Sequence, residues 1–233
     1  MNVIITGASR GIGFAIAEQF AAAGHTLLLC SRSEKQLYAS VAVLQTEYPG
    51  ITIKARPADL ADKKSARDFG NWCLEAGVPN ILVNNAGTFI PGSVHNEDDE
   101  TLEQMMATNL YSAYHLTRVI VPAMVKAKSG HIFNMCSIAS LNAYANGGSY
   151  SISKFALNGF SKNLREEMKP FGVKVTAVFP GATMTDSWAA SNIPATRIME
   201  AADVAKMIFT ASQLSPMAVV EEIVMRPLLG DME

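Results

Sequence analysis

Charge is scarce in this chain. Only 17% of its 233 residues are Asp, Glu, Lys or Arg, and they sum to −2. The acids and bases are interspersed, so no field exists to draw in nucleic acid or an anionic membrane surface. Cysteine is scarcer still: Cys30, Cys73 and Cys136 sit singly in apolar stretches. An odd count without CxxC spacing excludes a disulfide framework and a zinc site, and reads as reduced, buried thiols in a cytoplasmic protein. His25, His95, His115 and His131 show no HxxxH or HxH spacing, so no metal is expected. No uncharged apolar run reaches the roughly 18 residues that span a bilayer. The first residues read as a strand entering a glycine loop, not as a secretory leader. Linkers and low-complexity stretches are missing as well, which predicts one domain over 1–233.

What the chain does have is apolar residues, 49% of the total, arranged in an alternating pattern. Strands are predicted at Met1–Thr6, Thr26–Cys30, Ile51–Ala55, Ile81–Val83, His131–Met135, Val173–Phe179 and Val219–Met225. Between them, helical segments are predicted at Phe14–Ala23, Glu34–Tyr48, Ser65–Ala76, Asp98–Lys126, Tyr150–Met168 and Asp203–Ser212, with Pro122 expected to bend the fourth. Continuous apolar strands separated by helices imply an α/β fold: a doubly wound, Rossmann-like parallel sheet of about seven strands with helices on both faces. The aperiodic stretch at about 184–199 follows a strand end, where a parallel sheet places a substrate-covering loop.

The first strand runs into TGASRGIG, with Gly7, Gly11 and Gly13 spaced GxxxGxG around Ser9, Arg10 and Ile12. Glycine lets the chain turn tightly and approach a pyrophosphate, and the following helix offers free N–H groups to the anion. A glycine-rich surface turn is the alternative, but the loop lies between strand and helix, the context the motif requires. The second strand ends Cys30-Ser31-Arg32, with no acid before Glu34 to hold a ribose 2′-hydroxyl. Arg32 and Arg10 suit a 2′-phosphate instead, which predicts NADP(H) in preference to NAD(H), unless Arg32 is merely a solvated surface residue.

The ordered set TGASRGIG, NNAG at 84–87, Asn109 in TNLYSAYHLT, Ser137 thirteen residues before Tyr150, Lys154 in YSISK and PGATMT at 180–185 resembles the short-chain dehydrogenase/reductase family. The tail VVEEIVMRPLLGDME looks like that of the family's bacterial sepiapterin and carbonyl reductases. The resemblance implies an NADPH-dependent oxidoreductase of a small-molecule carbonyl. Tyr150 is the implied proton donor, with its acidity raised by the ammonium of Lys154 one helical turn on. It implies that Ser137, ahead of its neighbour Ser140, holds the substrate oxygen. It implies that Asn109 holds a water in a proton relay, and that Lys154 also bonds the nicotinamide ribose. Further implied cofactor contacts are Asp59 (otherwise a helix cap) and Leu60 at the adenine, Asn85, Ala86 and Gly87 at the adenosine ribose, and Pro180, Gly181, Thr183 and Thr185 at the carboxamide.

The implied substrate wall comprises Ala139, Asn142, Tyr144, Met184 and Trp188. Tyr144 and Trp188 would stack on a flat ring, with loop packing the alternative for Trp188. The resemblance also implies a homodimer or homotetramer. Rival readings are an alcohol dehydrogenase working oxidatively, a nucleotide sensor without turnover, and an isomerase or lyase on the same scaffold. Acyl transfer is disfavoured, since neither a GxSxG elbow nor a His/Asp partner for a serine is present.

Overall fold

A computed structural model describes residues 1–185 and 194–231. Seven strands form one parallel sheet: β1 (Asn2–Thr6), β2 (Thr26–Cys30), β3 (Ile53–Ala55), β4 (Ile81–Asn84), β5 (Gly130–Met135), β6 (Val173–Pro180) and β7 (Glu222–Met225). Their spatial order is β3-β2-β1-β4-β5-β6-β7, and every pairing is parallel. The order reverses between β1 and β4, which opens a crevice beyond the carboxyl ends of those two strands. Among the described residues no helix is long and apolar enough to cross a membrane.

Side-chain alternation explains why the strands read as unbroken apolar runs. Val3 and Ile5 of β1 point to one face, where they meet Phe20 of α1 (Gly11–Ala22), Leu37 and Leu44 of α2 (Glu34–Glu47), and Ile208 of α7 (Ala201–Ser212). Ile4, between them, points to the other face. There it joins Phe69 of α3 (Lys63–Glu75), Leu116 and Ile120 of α5 (Ser112–Ala127), and Leu164 of α6 (Gly148–Met168). Both faces are covered, so neither register of the period-two pattern can be polar.

The predicted long helix is divided. It begins as α4 (Thr101–Met106), widens into a π turn over Ala107–Tyr111, and resumes as α5, which continues through Pro122 to Ala127. The departure from α-geometry therefore falls at Asn109, not at the proline. A π turn inserts one residue into the hydrogen-bond ladder, and here it turns the Asn109 side chain inward, where it is buried. The segment after β6 is pinched at its base: Met184 N–H donates to the Met199 carbonyl at 2.7 Å, and Met199 N–H to the Ala182 carbonyl at 3.0 Å.

One buried group ties stability to pH. His131 on β5 stacks on Phe133 at 3.9 Å between ring centroids, and its Nε2 lies 2.7 Å from Thr176 Oγ1. Thr176 spends its proton on the Val220 carbonyl, at 2.6 Å, so it is the Nε2–H of His131 that donates. Burial pushes its pKa from 6.5 down to about 3. The unfolded chain then binds a proton that the folded chain refuses, so stability is lost as pH falls from 6.5 toward 3. Urea unfolding across that window will show a shallower loss for His131→Asn than for the parent.

Candidate active site

The crevice is built first by a clamp between β1 and β4. Thr6 Oγ1 accepts from Asn85 N–H and Ala86 N–H, both at 2.9 Å, and donates to the Val83 carbonyl at 3.3 Å. Asn85 Nδ2 returns bonds to the carbonyls of Thr6 at 2.8 Å and Gly7 at 3.2 Å. Only a glycine can follow here. Gly7 has φ +64°, and a Cβ on Gly13 would stand 2.3 Å from the Gly7 carbonyl oxygen. Ala8 N–H donates to the Cys30 carbonyl at 3.0 Å, and Ser40 Oγ of α2 to the Ser9 carbonyl at 2.7 Å, so β2 and α2 fix the loop's outer side.

The helix that follows is left open to an anion. Arg10 occupies the cap position without a side-chain cap bond, and the first turn of α1 carries no acid. Around this end lies a cavity of about 290 Å³. Its walls carry the loop residues from Gly7 to Gly13 together with Ser31, Arg32, Asp59 and Leu60, and on the far side Asn85, Ala86, Gly87 and Thr185. Asp59 is not the cap of α3; Asp62 takes that place, accepting from Ser65 N–H at 2.7 Å. The free N–H donors, the glycine cradle and the acid-free end of β2 fit a pyrophosphate dinucleotide.

A second cavity of about 520 Å³ shares Ile12, Asn85, Gly87 and Thr185 with the first. Ser137, Tyr150 and Lys154 meet in its floor, and Ala139, Asn142, Tyr144, Pro180, Gly181 and Thr183 complete much of the wall. Tyr150 and Lys154 come from the first two turns of α6, and Ser137 from just beyond β5. Ser137 is held from both sides: its N–H donates to Ser140 Oγ at 3.1 Å, and its Oγ accepts from Ala139 N–H at 3.1 Å. Ser140 is therefore a support for Ser137. The Ser137 hydroxyl also lies close enough to the Tyr150 phenol to favour its ionised form. Lys154 Nζ donates to the Met135 carbonyl at the end of β5, at 2.8 Å, and lies 5.8 Å from the centroid of the Tyr150 ring.

The residue range 1–196 matches the family model described as short chain dehydrogenase. The sepiapterin reductase of Chlorobaculum tepidum is 32% identical over 99% of this chain and 98% of its own length. The 3-oxoacyl-(acyl-carrier-protein) reductase of Haemophilus influenzae is 32% identical over 90% of this chain and 89% of its own. A metagenomic short-chain oxidoreductase solved in complex with NADP superposes with a TM-score of 0.85, at 31% identity, over 97% of this chain and 96% of that one. The chain belongs to the short-chain dehydrogenase family.

In this short-chain dehydrogenase the electrostatics of the pair differ from the sequence expectation. Burial raises the Tyr150 phenol to about 12, with the nearby Ser137 hydroxyl opposing the rise. Burial also lowers Lys154 to about 8. The expected acidification of Tyr150 by Lys154 is absent: the ammonium sits at ring-centroid distance and spends a hydrogen bond on Met135, while loss of water disfavours the phenolate. Asn109 is anchored through its side-chain amide. Its Oδ1 accepts from Thr88 N–H at 2.8 Å, and its Nδ2 donates to the Thr88 carbonyl at 3.0 Å and to Ser153 Oγ at 2.9 Å. The amide spends both N–H groups on the protein itself, fixing the strand-to-helix loop over Gly87. It stands behind the cavities, not on their walls.

Met184 is 38% exposed and lies off both cavity walls, and Trp188 falls outside the described residues. Phe89, Cys136 and Asp231 are among the wall residues that escaped the sequence reading. Phe89 packs edge-on against Tyr150, with ring centroids 4.8 Å apart. Cys136 adjoins Ser137, its thiol pushed up to about 11 by burial. Asp231, from the C-terminal tail, reaches the second cavity while its carboxylate accepts from Arg226 Nε at 2.9 Å. Phe89 follows NNAG closely enough to have been suspected. Asp231 lies in the tail that carries part of the resemblance, but nothing in that tail's sequence pointed to the cavity.

The clamp yields a direct prediction. Thr6→Val keeps the shape but strands the Ala86 N–H and leaves the Asn85 N–H only the Val83 carbonyl, which costs on the order of 1–3 kcal/mol. Chemical denaturation should register that loss in Thr6→Val and little of it in Thr6→Ser.

Proposed function

We propose that this short-chain dehydrogenase, acting as a single catalytic domain over 1–233 in the cytoplasm, reduces a ketone to a secondary alcohol with NADPH. The observation that carries the reading is a phenol held neutral by burial, set beside Ser137 on the wall of a cavity that shares its lining with a dinucleotide cradle. The dinucleotide, when bound, is the reductant. Gly7, Ser9, Gly11, Ile12 and Gly13 hold its pyrophosphate at the uncapped start of α1. Ser31, Arg32 and Arg10 take the 2′-phosphate. Asp59 and Leu60 meet the adenine, and Asn85, Ala86 and Gly87 the adenosine ribose. Pro180, Gly181, Thr183 and Thr185 hold the carboxamide, and Lys154 the nicotinamide ribose.

Ser137 orients the substrate carbonyl oxygen, and Tyr150 Oη gives that oxygen its proton as the carbonyl carbon is reduced. A neutral phenol is the form a donor needs, whereas oxidation of an alcohol needs the phenolate, and a pKa near 12 leaves little of it at neutral pH. Asn109 serves by fixing Thr88 and Ser153 beside this pair. For the substrate, Phe89 and Tyr144 suit a flat ring, and Lys154 is the sole cation among the described wall residues of the second cavity, which disfavours a phosphorylated ligand. Likeness to a sepiapterin reductase along nearly the whole chain makes a pterin side-chain ketone the first substrate to try. Exposed Tyr111, Ile152 and Phe155 on the α5 and α6 side support assembly into a homodimer or homotetramer.

Oxidation of NADPH, followed by its absorbance, tests the reading against sepiapterin, diketones, quinones and a 3-oxoacyl thioester. Tyr150→Phe should lower kcat by roughly 10²–10⁴, with NADPH affinity kept within about twofold. Retention of most of the rate would remove Tyr150 from the reaction. Arg32→Ala should weaken NADPH binding by about tenfold and leave NADH binding nearly unchanged, as titration of cofactor fluorescence would report.

A further inference from the structure

The start of α6 has no cap of its own. Gly147 occupies the cap position without a side chain, and no acid lies in the first turn. Four unpaired N–H groups at a helix start need acceptors, and Tyr150 stands in that turn. The missing acceptor comes from a distant part of the chain. Glu97, in the segment between β4 and α4, takes the Ser149 N–H on Oε2 at 3.2 Å and the Ser149 hydroxyl on Oε1. Two further bonds join the same segments: Gly92 N–H to the Asn146 carbonyl at 3.2 Å, and Ser93 Oγ to Asn146 Oδ1 at 3.1 Å.

The approach is close enough to exclude side chains. Gly148 has φ +32°, and a Cβ there would stand 2.5 Å from the Gly92 carbonyl oxygen and 2.6 Å from Glu97 Oε2. Earlier in that segment, Phe89 presses its edge on the Tyr150 ring, and Thr88 is fixed by Asn109. One loop therefore touches the phenol directly and also grips the backbone that carries it.

We propose that Glu97 is a positioning residue for the reaction: its carboxylate holds the first turn of α6 and so aims Tyr150, and it makes the 88–97 segment and that turn move as one body. The carboxylate also lies at the positive end of the helix dipole, where a negative charge is favoured. The inference rests on the reading of Tyr150 as proton donor, but the grip itself does not.

Two measurements on the full-length protein separate these. In Glu97→Ala, amide hydrogen exchange should speed up at 146–151 and at 88–97 together, with β1 and β4 unchanged. Glu97→Gln keeps an acceptor for the Ser149 N–H and a donor for its hydroxyl, so it should restore most of the protection. With NADPH and a diketone that the parent reduces, Glu97→Ala should lose between about ten- and a hundredfold in kcat, with NADPH affinity unchanged and Glu97→Gln close to the parent. Unaltered exchange in Glu97→Ala overturns the proposal. So does faster exchange with kcat intact, since the turn would then be held without aiming anything. If the parent reduces none of the carbonyls, the reductase reading fails, and the exchange data still decide whether Glu97 holds the turn.

Discussion

Loss of water around one lysine and one tyrosine governs the chemistry of this molecule. Lys154 and Tyr150 begin with similar affinities for a proton and are driven apart by the same burial, the ammonium down to about 8 and the phenol up to about 12. The site is therefore an acid with a cation beside it, and neutral pH keeps both protons in place. Such a pair can exist only where the backbone supplies the bonds that water would have made. The end of β5 does so for the ammonium, which the Met135 carbonyl takes, and two residues later it sets Ser137 beside the phenol. Packing of Leu157 on α6 against Cys136 and Phe179 holds helix and sheet in the register that permits this.

A second constraint places the cofactor cradle beside that pair. The sheet reverses its order at β1 and β4, and the crevice would splay if the two strand ends were tied only by ladder bonds. Thr6 and Asn85 lock them with side chains, and the glycine turn is shaped to that lock: Gly13 lies under the Gly7 carbonyl because Asn85 occupies the space a side chain would need. Cradle and floor share Asn85 and Gly87, so one short segment after β4 borders both cavities. This is why the segment is gripped from two further sides, by Asn109 from the π turn and through Glu97 at the start of α6.

Much of this was readable before any coordinates. The sheet was legible because burial on both faces leaves unbroken apolar runs, and strand ends were misjudged by only a few residues where pairing stops before apolarity does, as at Ile51 and Val219. The glycine loop, Ser137, Tyr150 and Lys154 were legible because their chemistry demands fixed residue types at fixed spacing. The proton affinity of Tyr150 was misjudged because spacing reports that an ammonium is near, while burial, which decides the sign, is a property of the fold. Asn109 was reached through the family resemblance, yet its partners Thr88 and Ser153 are contacts no periodicity encodes. Glu97 and Asp231 were invisible for the same reason: each meets its neighbours across a long stretch of sequence.

The protonation state of one phenol decides the account most directly. Carbon-13 NMR of protein labelled at tyrosine Cζ, with the Tyr150 signal identified by its loss in Tyr150→Phe, reads that state across a pH titration. The account predicts a neutral phenol through neutral pH, still protonated where ordinary tyrosines near ~10 have begun to ionise. A phenolate signal from Tyr150 at neutral pH would contradict it.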